Sequence, residues 1–216
     1  MFAKKLRNKA GPFRFFAVGE YGRKSGRPHY HACIIGLDFK EDRKYHKMSE
    51  SGFPIYISAL LDSCWQKEGE SYGFAYVQDL EFGSAAYAAR YVMDKKNGEL
   101  SENHYNYFDH TGKLVCSFEK EFALMSRRPG LGAGFVSLYF NELLNLDSVD
   151  VNGNEGTLPR YYDKLLERQF PDRVEVNRAK RIDGSVKHWS NNTRKRLEVR
   201  AKVHDAKMSF KKRSLK

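Results

Sequence analysis

The chain has 216 residues, enough for one domain with a substantial core and an appended segment. Its three cysteines are widely spaced and form no CxxC pair, which argues against a disulfide framework and a cysteine zinc site and favours a reducing, intracellular environment. No apolar run approaches the roughly 20 residues that span a bilayer, and the basic N-terminal stretch lacks the apolar segment of a secretory signal. The sequence therefore predicts a soluble protein.

The net charge of +11 is concentrated at the C-terminal end of the chain. Residues 173–216 contain 15 lysines and arginines against 4 acidic residues, whereas residues 1–172 are balanced. A basic segment of this kind attracts polyanions, so nucleic acid is the first partner to consider and an anionic membrane surface the second. A solvated basic helix or a disordered end would carry the same charge. The candidate DNA contacts are Arg194, Lys195 and Arg196, with Trp189 as a candidate for stacking on bases.

The first half of the chain reads as a mixture of strands and helices. Residues 13–22 and 29–39 predict an antiparallel hairpin, because both are rich in aromatic and β-branched residues and Gly22, Gly26 and Pro28 punctuate the link. A polar segment follows, to about residue 52. Next come a helix within residues 54–69 and a strand over residues 72–80.

The clearest predicted helix covers residues 84–98, with Ser84 as its N-cap and Asn97 and Gly98 at its end. A polar loop, a strand candidate near residues 115–126, a glycine-rich turn and further helices follow. Strands and helices joined by hairpin-length links predict an α+β fold with an antiparallel central sheet flanked by helices.

Two histidines and a glutamate form a candidate metal site. Alternate residues of a strand share a face, so His29 and His31 project together, and the antiparallel partner strand brings Glu20 beside them. Two imidazoles and a carboxylate suit a divalent ion such as Mg²⁺ or Mn²⁺ better than a closed zinc site. A His-x-His pair alone is also common in strands that bind nothing.

A row of side chains on the predicted helix is the second candidate. Tyr87, Tyr91 and Lys95 are spaced by four residues and lie on one helix face. The same spacing suits tyrosines that pack an amphipathic helix on a sheet, with Lys95 complementing the helix C-terminus. Because alanines already provide small packing faces, we expect the tyrosines to be presented rather than buried.

Together these two groups predict a specific chemistry. A divalent ion positions a phosphodiester, and a tyrosine oxygen attacks the phosphorus to give a covalent phosphotyrosine. Lys95 would stabilise the developing charge or lower the tyrosine pKa, and a second tyrosine one turn away would permit a second transfer. The glycine-rich "GLGAG" lacks the lysine of a P-loop.

Over most of residues 1–170 the chain resembles the replication initiators of Microviridae, small single-stranded DNA phages, of the gokushovirus-like branch. The likeness rests on motifs in matching order: "GEYG", "RPHYHA", "YAARYVMDKK", "EFALMSRRPGLGAGF" and "LPRYYDKLL". These initiators are HUH endonucleases, named for a His-hydrophobic-His pair, here His29-Tyr30-His31.

The resemblance implies a rolling-circle initiator that nicks one strand at the phage replication origin, becomes joined to the 5′ phosphate and frees a 3′ hydroxyl. On that basis Glu20, His29 and His31 match the metal ligands, Tyr87 and Tyr91 the paired nucleophiles, and Lys95 the lysine that follows them. Single-stranded origin DNA, a host helicase and polymerase, and the host bacterial cytoplasm follow as the expected partners and location, with no membrane.

The resemblance also divides the chain. Residues 1–145 are expected to form the HUH-like catalytic domain, residues 146–172 a linker and helix, and residues 173–216 a basic helical or disordered extension. Relatives usually have an upstream strand before a segment like "MFAKKLRNK", so the central sheet is expected to lack its first strand. Asp94 beside Lys95 also departs from the neutral or basic residue expected there.

Two other functions remain open from the sequence. A non-catalytic single-stranded DNA-binding module would explain the basic segment, and a small-phosphoester hydrolase would explain only the histidines. Arg127 and Arg128 in the glycine-rich turn suit contact with phosphate, or are solvated arginines of a plain turn.

Overall fold

A computed structural model describes residues 2–22, 25–94 and 99–210. The chain divides into two compact units, the first ending at Arg127 and the second beginning at Arg128. Helices combined with small antiparallel sheets confirm the predicted α+β class.

The first unit alternates short strands and helices. Its elements are α1 (Phe2–Ala10), β1 (Arg14–Tyr21), β2 (Pro28–Ile35), β3 (Arg43–Met48), β4 (Pro54–Ser58), α2 (Ala59–Cys64), β5 (Gln66–Lys67), β6 (Glu70–Ser71), α3 (Phe82–Asp94), α4 (Glu99–Tyr105), β7 (Asn106–Phe108), β8 (Leu114–Ser117) and β9 (Phe122–Met125).

Strand β1 is the centre of an antiparallel sheet with the order β2-β1-β9. The β1–β2 pairing confirms the predicted hairpin and sets Glu20 opposite His29 and Val18 opposite His31. Since directly opposed residues of an antiparallel pair share a face, the glutamate and both histidines lie on one face of the sheet. The other described strands of this unit pair as two-stranded hairpins, β3 with β4, β5 with β6 and β7 with β8.

Helices cover both faces of this sheet. Phe15 and Ile34 project from one face onto a core that contains Leu6 of α1 and Leu61 of α2. Helix α3 packs on the other face, against His31. Apolar burial on one side thus fixes the strands, while the histidine side faces a helix.

Several predicted elements of this unit differ in the structure. The polar segment after residue 39 contains β3, and residues 54–58 of the predicted helix are strand β4. The strand expected over residues 72–80 makes one isolated bridge, between Val77 and Tyr56. The loop expected after residue 98 contains α4 and β7, and the single strand predicted near residues 115–126 is two strands, β8 and β9. Helix α3 begins at Phe82, so Ser84 lies inside its first turn and hydrogen-bonds Glu81.

The second unit is mainly helical. Its elements are α5 (Ala133–Leu146), β10 (Ser148–Val151), β11 (Asn154–Thr157), α6 (Arg160–Glu167), α7 (Pro171–Lys187) and α8 (Arg194–Ser209). Leu143 of α5, Leu166 of α6 and Val174 of α7 are buried in one core.

This packing does not follow the predicted division of the chain. The boundary after residue 145 falls within α5, and the boundary after residue 172 falls within α7. Val174 is only 2% exposed, and the side-chain amide of buried Asn177 donates to the Leu144 carbonyl at 2.8 Å. The start of the basic segment is therefore part of the second core, because apolar side chains at helical spacing lie among its charges. Among the described residues, no helix is both long and apolar enough to cross a membrane.

Candidate active site

Glu20 and His31 meet on the β1–β2 face. Oε1 of Glu20 lies 3.3 Å from Nε2 of His31, and both side chains are partly buried. The two residues belong to neighbouring strands, so the fixed hairpin register positions the contact. The predicted approach of the carboxylate to the histidine strand is present.

Helix α3 brings the two tyrosines to the same place. The phenol ring of Tyr91 stacks on the imidazole of His31, with 4.8 Å between ring centroids and 7° between ring planes. Tyr87 meets the same imidazole edge-on, at 5.6 Å and 82°. The four-residue spacing along the helix therefore places both phenols against one histidine.

The two phenol hydroxyls hydrogen-bond each other, with Tyr91 donating to Tyr87. Tyr91 also interacts with the Glu20 carboxylate. Tyr87 is only 9% exposed, which differs from the expectation that the tyrosines are presented to solvent. The reason is that this face of α3 packs on the sheet, so the residues that pack the helix are the residues of the candidate site.

The environment favours the neutral forms of the aromatic groups. Burial raises the pKa of Tyr91, and its hydrogen bond with Tyr87 raises the pKa further. Burial lowers the pKa of His31, and the charge of nearby His29 lowers it as well. A neutral imidazole is the form that binds a metal ion.

His29 points differently from His31. Its exposed ring lies against Gly22, where an added Cβ would come within 2.7 Å of the His29 Cε1 atom. Across the residues that the structure describes, no three His, Cys, Asp or Glu side chains are arranged to hold a metal ion. Two of the three predicted ligands converge and the third shares their face.

The donor set nevertheless fits a divalent ion. His29 lies two residues before His31 on the same strand face and opposite Glu20, and its ring is exposed rather than packed in a core. A different rotamer of this one side chain would complete a set of two nitrogens and a carboxylate. That set suits an ion of the Mg²⁺ or Mn²⁺ class with further positions for phosphate oxygens.

Sequence reasoning missed a cation beside the tyrosines. The Arg90 guanidinium carbon lies 5.6 Å from the centroid of the Tyr87 ring, a cation–π arrangement. The Arg90 Nε atom is buried and has no hydrogen-bond partner among the described residues. The i, i+3 spacing from Tyr87 was the available signal. The predicted lysine, Lys95, lies outside the described residues.

Comparison with known proteins gives a consistent set of relatives. Residues 1–97 match a family model of replication-associated proteins of the ORF2 type. The chain is 25% identical over 184 residues to Replication-associated protein VP4 of Bdellovibrio phage phiMH2K, covering 80% of this chain and 52% of that protein. It is 27% identical over 175 residues to Replication-associated protein ORF2 of Spiroplasma virus 4, covering 77% and 47%. The predicted resemblance to phage replication initiators is confirmed.

A third replication-associated relative, ORF4 of Chlamydia phage 1, is 26% identical over 187 residues, covering 82% of this chain and 42% of that protein. The chain spans about half the length of the curated relatives it matches. No solved structure matches the chain significantly. The segment that matches the replication-associated family model contains every candidate catalytic and metal-binding residue.

The glycine-rich turn is filled by tyrosine side chains from helix α6. The Gly130 N–H donates to the Tyr161 hydroxyl at 2.9 Å, and Tyr162 packs against Gly132. Arg127 and Arg128 are exposed. Because Tyr161 uses the Gly130 amide, that amide is not available to phosphate, and a phosphate contact here would rest on the arginines.

The remaining predicted DNA contacts lie on helix α8. Arg194, Lys195 and Arg196 are exposed in its first turn. Arg194 pairs with Glu198 at 3.2 Å, and Nε of Arg196 donates to Asn191 at 3.3 Å. Such exposed pairs contribute little to stability, so the arginines can exchange these partners for phosphates.

Proposed function

We propose that the chain is a phage replication initiator that nicks and rejoins single-stranded DNA at the origin through a covalent 5′-phosphotyrosine. The replication-associated names of its relatives support the role in replication. The observation that carries the chemistry is the stack of Tyr91 on His31, since it places two phenol hydroxyls and the Glu20 carboxylate in one pocket.

The nicking step is a transesterification. A phenol oxygen of Tyr87 or Tyr91 attacks the scissile phosphorus, the new P–O bond to tyrosine forms, and the P–O3′ bond breaks. The phenol gives up one proton and the departing 3′ oxygen gains one, so protons balance. The phosphodiester count is unchanged, which lets a 3′ hydroxyl reverse the step and rejoin the strand.

Glu20, His29 and His31 would hold the divalent ion. When bound, Mg²⁺ or Mn²⁺ supplies positive charge that neutralises and positions the phosphodiester. The chain's own residues do the rest: His31 stacks on Tyr91 and fixes its ring, and Glu20 engages the hydroxyl of the same tyrosine. These contacts hold the nucleophile still before the substrate arrives.

Positive charge beside the nucleophiles would stabilise the transition state. We assign this role to Arg90, next to Tyr87, together with Lys95 on the predicted helix face. The two tyrosines within one hydrogen bond permit a second transfer by the same molecule, because one phenol is still unmodified after the first cleavage.

The expected setting follows from this role. The substrate is single-stranded DNA at the phage origin, a host helicase and polymerase act on the freed 3′ end, and the reaction takes place in the host bacterial cytoplasm.

The test uses a single-stranded origin oligonucleotide from the phage, labelled at either end. Cleavage that requires Mg²⁺ or Mn²⁺ and leaves protein on the 5′ end is expected. The double variant Tyr87→Phe plus Tyr91→Phe should lose cleavage, whereas Tyr107→Phe, an exposed tyrosine of the same unit, should cut like the parent. Equal cutting by the double variant would rule out the mechanism.

A non-catalytic single-stranded DNA-binding protein is the second candidate, favoured by the exposed basic first turn of α8 and by Trp189, which is 72% exposed. Removing residues after Thr193 separates the two functions and leaves the buried α7 residues in place. Retained nicking with weaker, less salt-dependent binding would identify α8 as an anchor for an enzyme. Absence of nicking in the full chain, with tight binding intact, would favour the binding protein.

A further inference from the structure

Residues 74–77 place their side chains in an unusual order. Ala75 and Val77 point inward and pack on the core of the first unit, whereas Phe74 and Tyr76 point outward and are 80% and 46% exposed. Two backbone hydrogen bonds of 2.9 Å between Val77 and Tyr56 fix this segment in the extended form. The large apolar rings are therefore held at the surface by the backbone, and exposed apolar groups of this kind mark interaction sites.

The outward rings form a row of nearly parallel planes. The Phe74 and Tyr76 rings are 6.4 Å apart between centroids with 12° between their planes, and His46 continues the row at 5.4 Å and 21° from Tyr76. Other aromatic contacts of this unit differ: Trp65 meets both Tyr30 and Tyr72 nearly edge-on, as in an ordinary packed cluster.

Parallel rings leave faces on which a planar base can stack. Rings that enclose a third ring need a separation of roughly 7 Å, twice the van der Waals distance between carbon atoms. The 6.4 Å between the Phe74 and Tyr76 centroids is close to this value.

Positive charge accompanies the row. Strand β3 reads RKYHKM and contains no acidic residue. The Lys47 ammonium lies 5.9 Å from the centroid of the Tyr76 ring, and Lys44 is exposed on the same strand. Arg43 is bound to Asp79 at 2.6 Å, so it supports the strand, while the two lysines face solvent. Exposed rings beside lysines are the combination that binds single-stranded nucleic acid.

We propose that His46, Tyr76 and Phe74, with Lys47 and Lys44, form a base-stacking surface for single-stranded DNA. The identity of this partner rests on the proposed function, while the surface itself follows from the ring geometry and the charge. We call these five residues the stacking surface.

The stacking surface is separate from the tyrosine site. Ala75 and Val77 pack on the core that covers the Phe15 face of the central sheet, whereas Tyr87 and Tyr91 lie on the His31 face. A strand bound at both places must pass around the sheet. The stacking surface should therefore contribute to the binding of long oligonucleotides and leave the cutting of short ones unchanged.

The binding test uses fluorescence anisotropy with a labelled oligothymidylate of about 30 nucleotides, long enough to cover more than one contact. The parent of the series is the Tyr87→Phe plus Tyr91→Phe protein, so that binding is measured without cleavage. Phe74→Leu and Tyr76→Leu should each weaken binding by roughly 5- to 150-fold, because leucine keeps an apolar side chain but offers no flat face. Phe74→Trp should bind like the parent.

Two controls make the result specific. Phe108→Leu, an exposed phenylalanine of the same unit, should leave affinity unchanged. Lys47→Gln should reduce the slope of log affinity against log salt by about 0.7, the value for one phosphate contact to a single strand. Circular dichroism of each variant checks that the fold is intact.

Affinity unchanged in both Phe74→Leu and Tyr76→Leu would overturn the proposal, as would an equal loss in Phe108→Leu. A parent that dimerises, with dimers lost in Phe74→Leu and DNA affinity unaffected, would also overturn it by assigning the rings to a protein contact. The outcome is independent of catalysis. Failure of the stacking surface leaves the cutting of short origin oligonucleotides intact, whereas failure of the proposed function abolishes cutting but not stacking-dependent binding.

Discussion

The imidazole of His31 and the phenol of Tyr91 lie face to face, 4.8 Å apart and within 7° of parallel. This contact joins the strand that carries the histidine pair to the helix that carries the tyrosine pair, and such ring pairs contribute about 0.5–1.5 kcal/mol beyond the area they bury. One contact therefore stabilises the packing of α3 on the sheet and places a nucleophile beside the proposed metal ligands.

Divalent metal should stabilise the folded protein. Mn²⁺ at about 100 times its dissociation constant adds about 2.7 kcal/mol to the free energy of unfolding if it binds only the folded state. The thermal midpoint of the parent should rise accordingly. His29→Ala, which alters an exposed side chain, should lose this rise, and His110→Ala, on an exposed turn, should keep it. A full rise in His29→Ala would show that the ion binds elsewhere.

Gly132 should be necessary for the second unit. Its φ of +83° is unfavourable for other residues, and an added Cβ would lie 2.7 Å from Cε1 of Tyr162. Gly132→Ala should lower the free energy of unfolding by about 1–3 kcal/mol, measured by urea denaturation. Gly134, in the first turn of α5, meets no atom within 4 Å, so Gly134→Ala should be neutral or stabilising by up to about 1 kcal/mol. The reverse order of the two variants would contradict the packing of Tyr162 on this turn.

Arg181 should anchor α7 to its neighbours. Its guanidinium hydrogen-bonds both Asp147, which follows α5, and Asp163 of α6. Arg181→Lys should lower the free energy of unfolding by about 1 kcal/mol, since a lysine cannot bind two carboxylates in this forked geometry and solvent screens what remains. Lys180→Ala, which removes the adjacent exposed charge, should have little effect. Denaturation in low and high salt checks this, because the Arg181 contribution should shrink with salt.

Part of this architecture was accessible from the sequence and part was not. The hairpin and the pairing of Glu20 with His29 followed from strand alternation and a short glycine-rich link, which fix register locally. Strand β3 was missed because RKYHKM has no apolar alternation, so only its backbone pairing with β4 makes it a strand. The segment around Phe74 and Tyr76 has strand-like composition, but beyond one bridge it finds no strand partner among the described residues.

The site was predictable as residues but not as an arrangement. Helical spacing placed Tyr87 and Tyr91 together, yet only tertiary packing decides that they face His31 rather than solvent. The burial of Val174 and Asn177 likewise depends on α5 and α6, which no local pattern in the basic segment reveals.

The first turn of α8 should supply part of the salt-dependent affinity for DNA. Replacing three neighbouring basic residues by glutamine should reduce the slope of log affinity against log salt by up to about 2, since each phosphate contact to a single strand contributes about 0.7. A matched triple variant with the same charge loss in the first unit should change the slope less. The α8 variant changes Arg194, Lys195 and Arg196, and the control changes Lys40, Lys67 and Lys113. Equal slopes in the two variants would mean that α8 contributes only general charge.

The most direct test of the central claim is to locate the DNA on the protein. After reaction with a single-stranded origin oligonucleotide in Mn²⁺, nuclease and protease digestion followed by mass spectrometry should find a nucleotide joined through its 5′ phosphate to Tyr87 or Tyr91. A nucleotide on another residue, or a cut strand with no covalent protein under these conditions, would contradict the account.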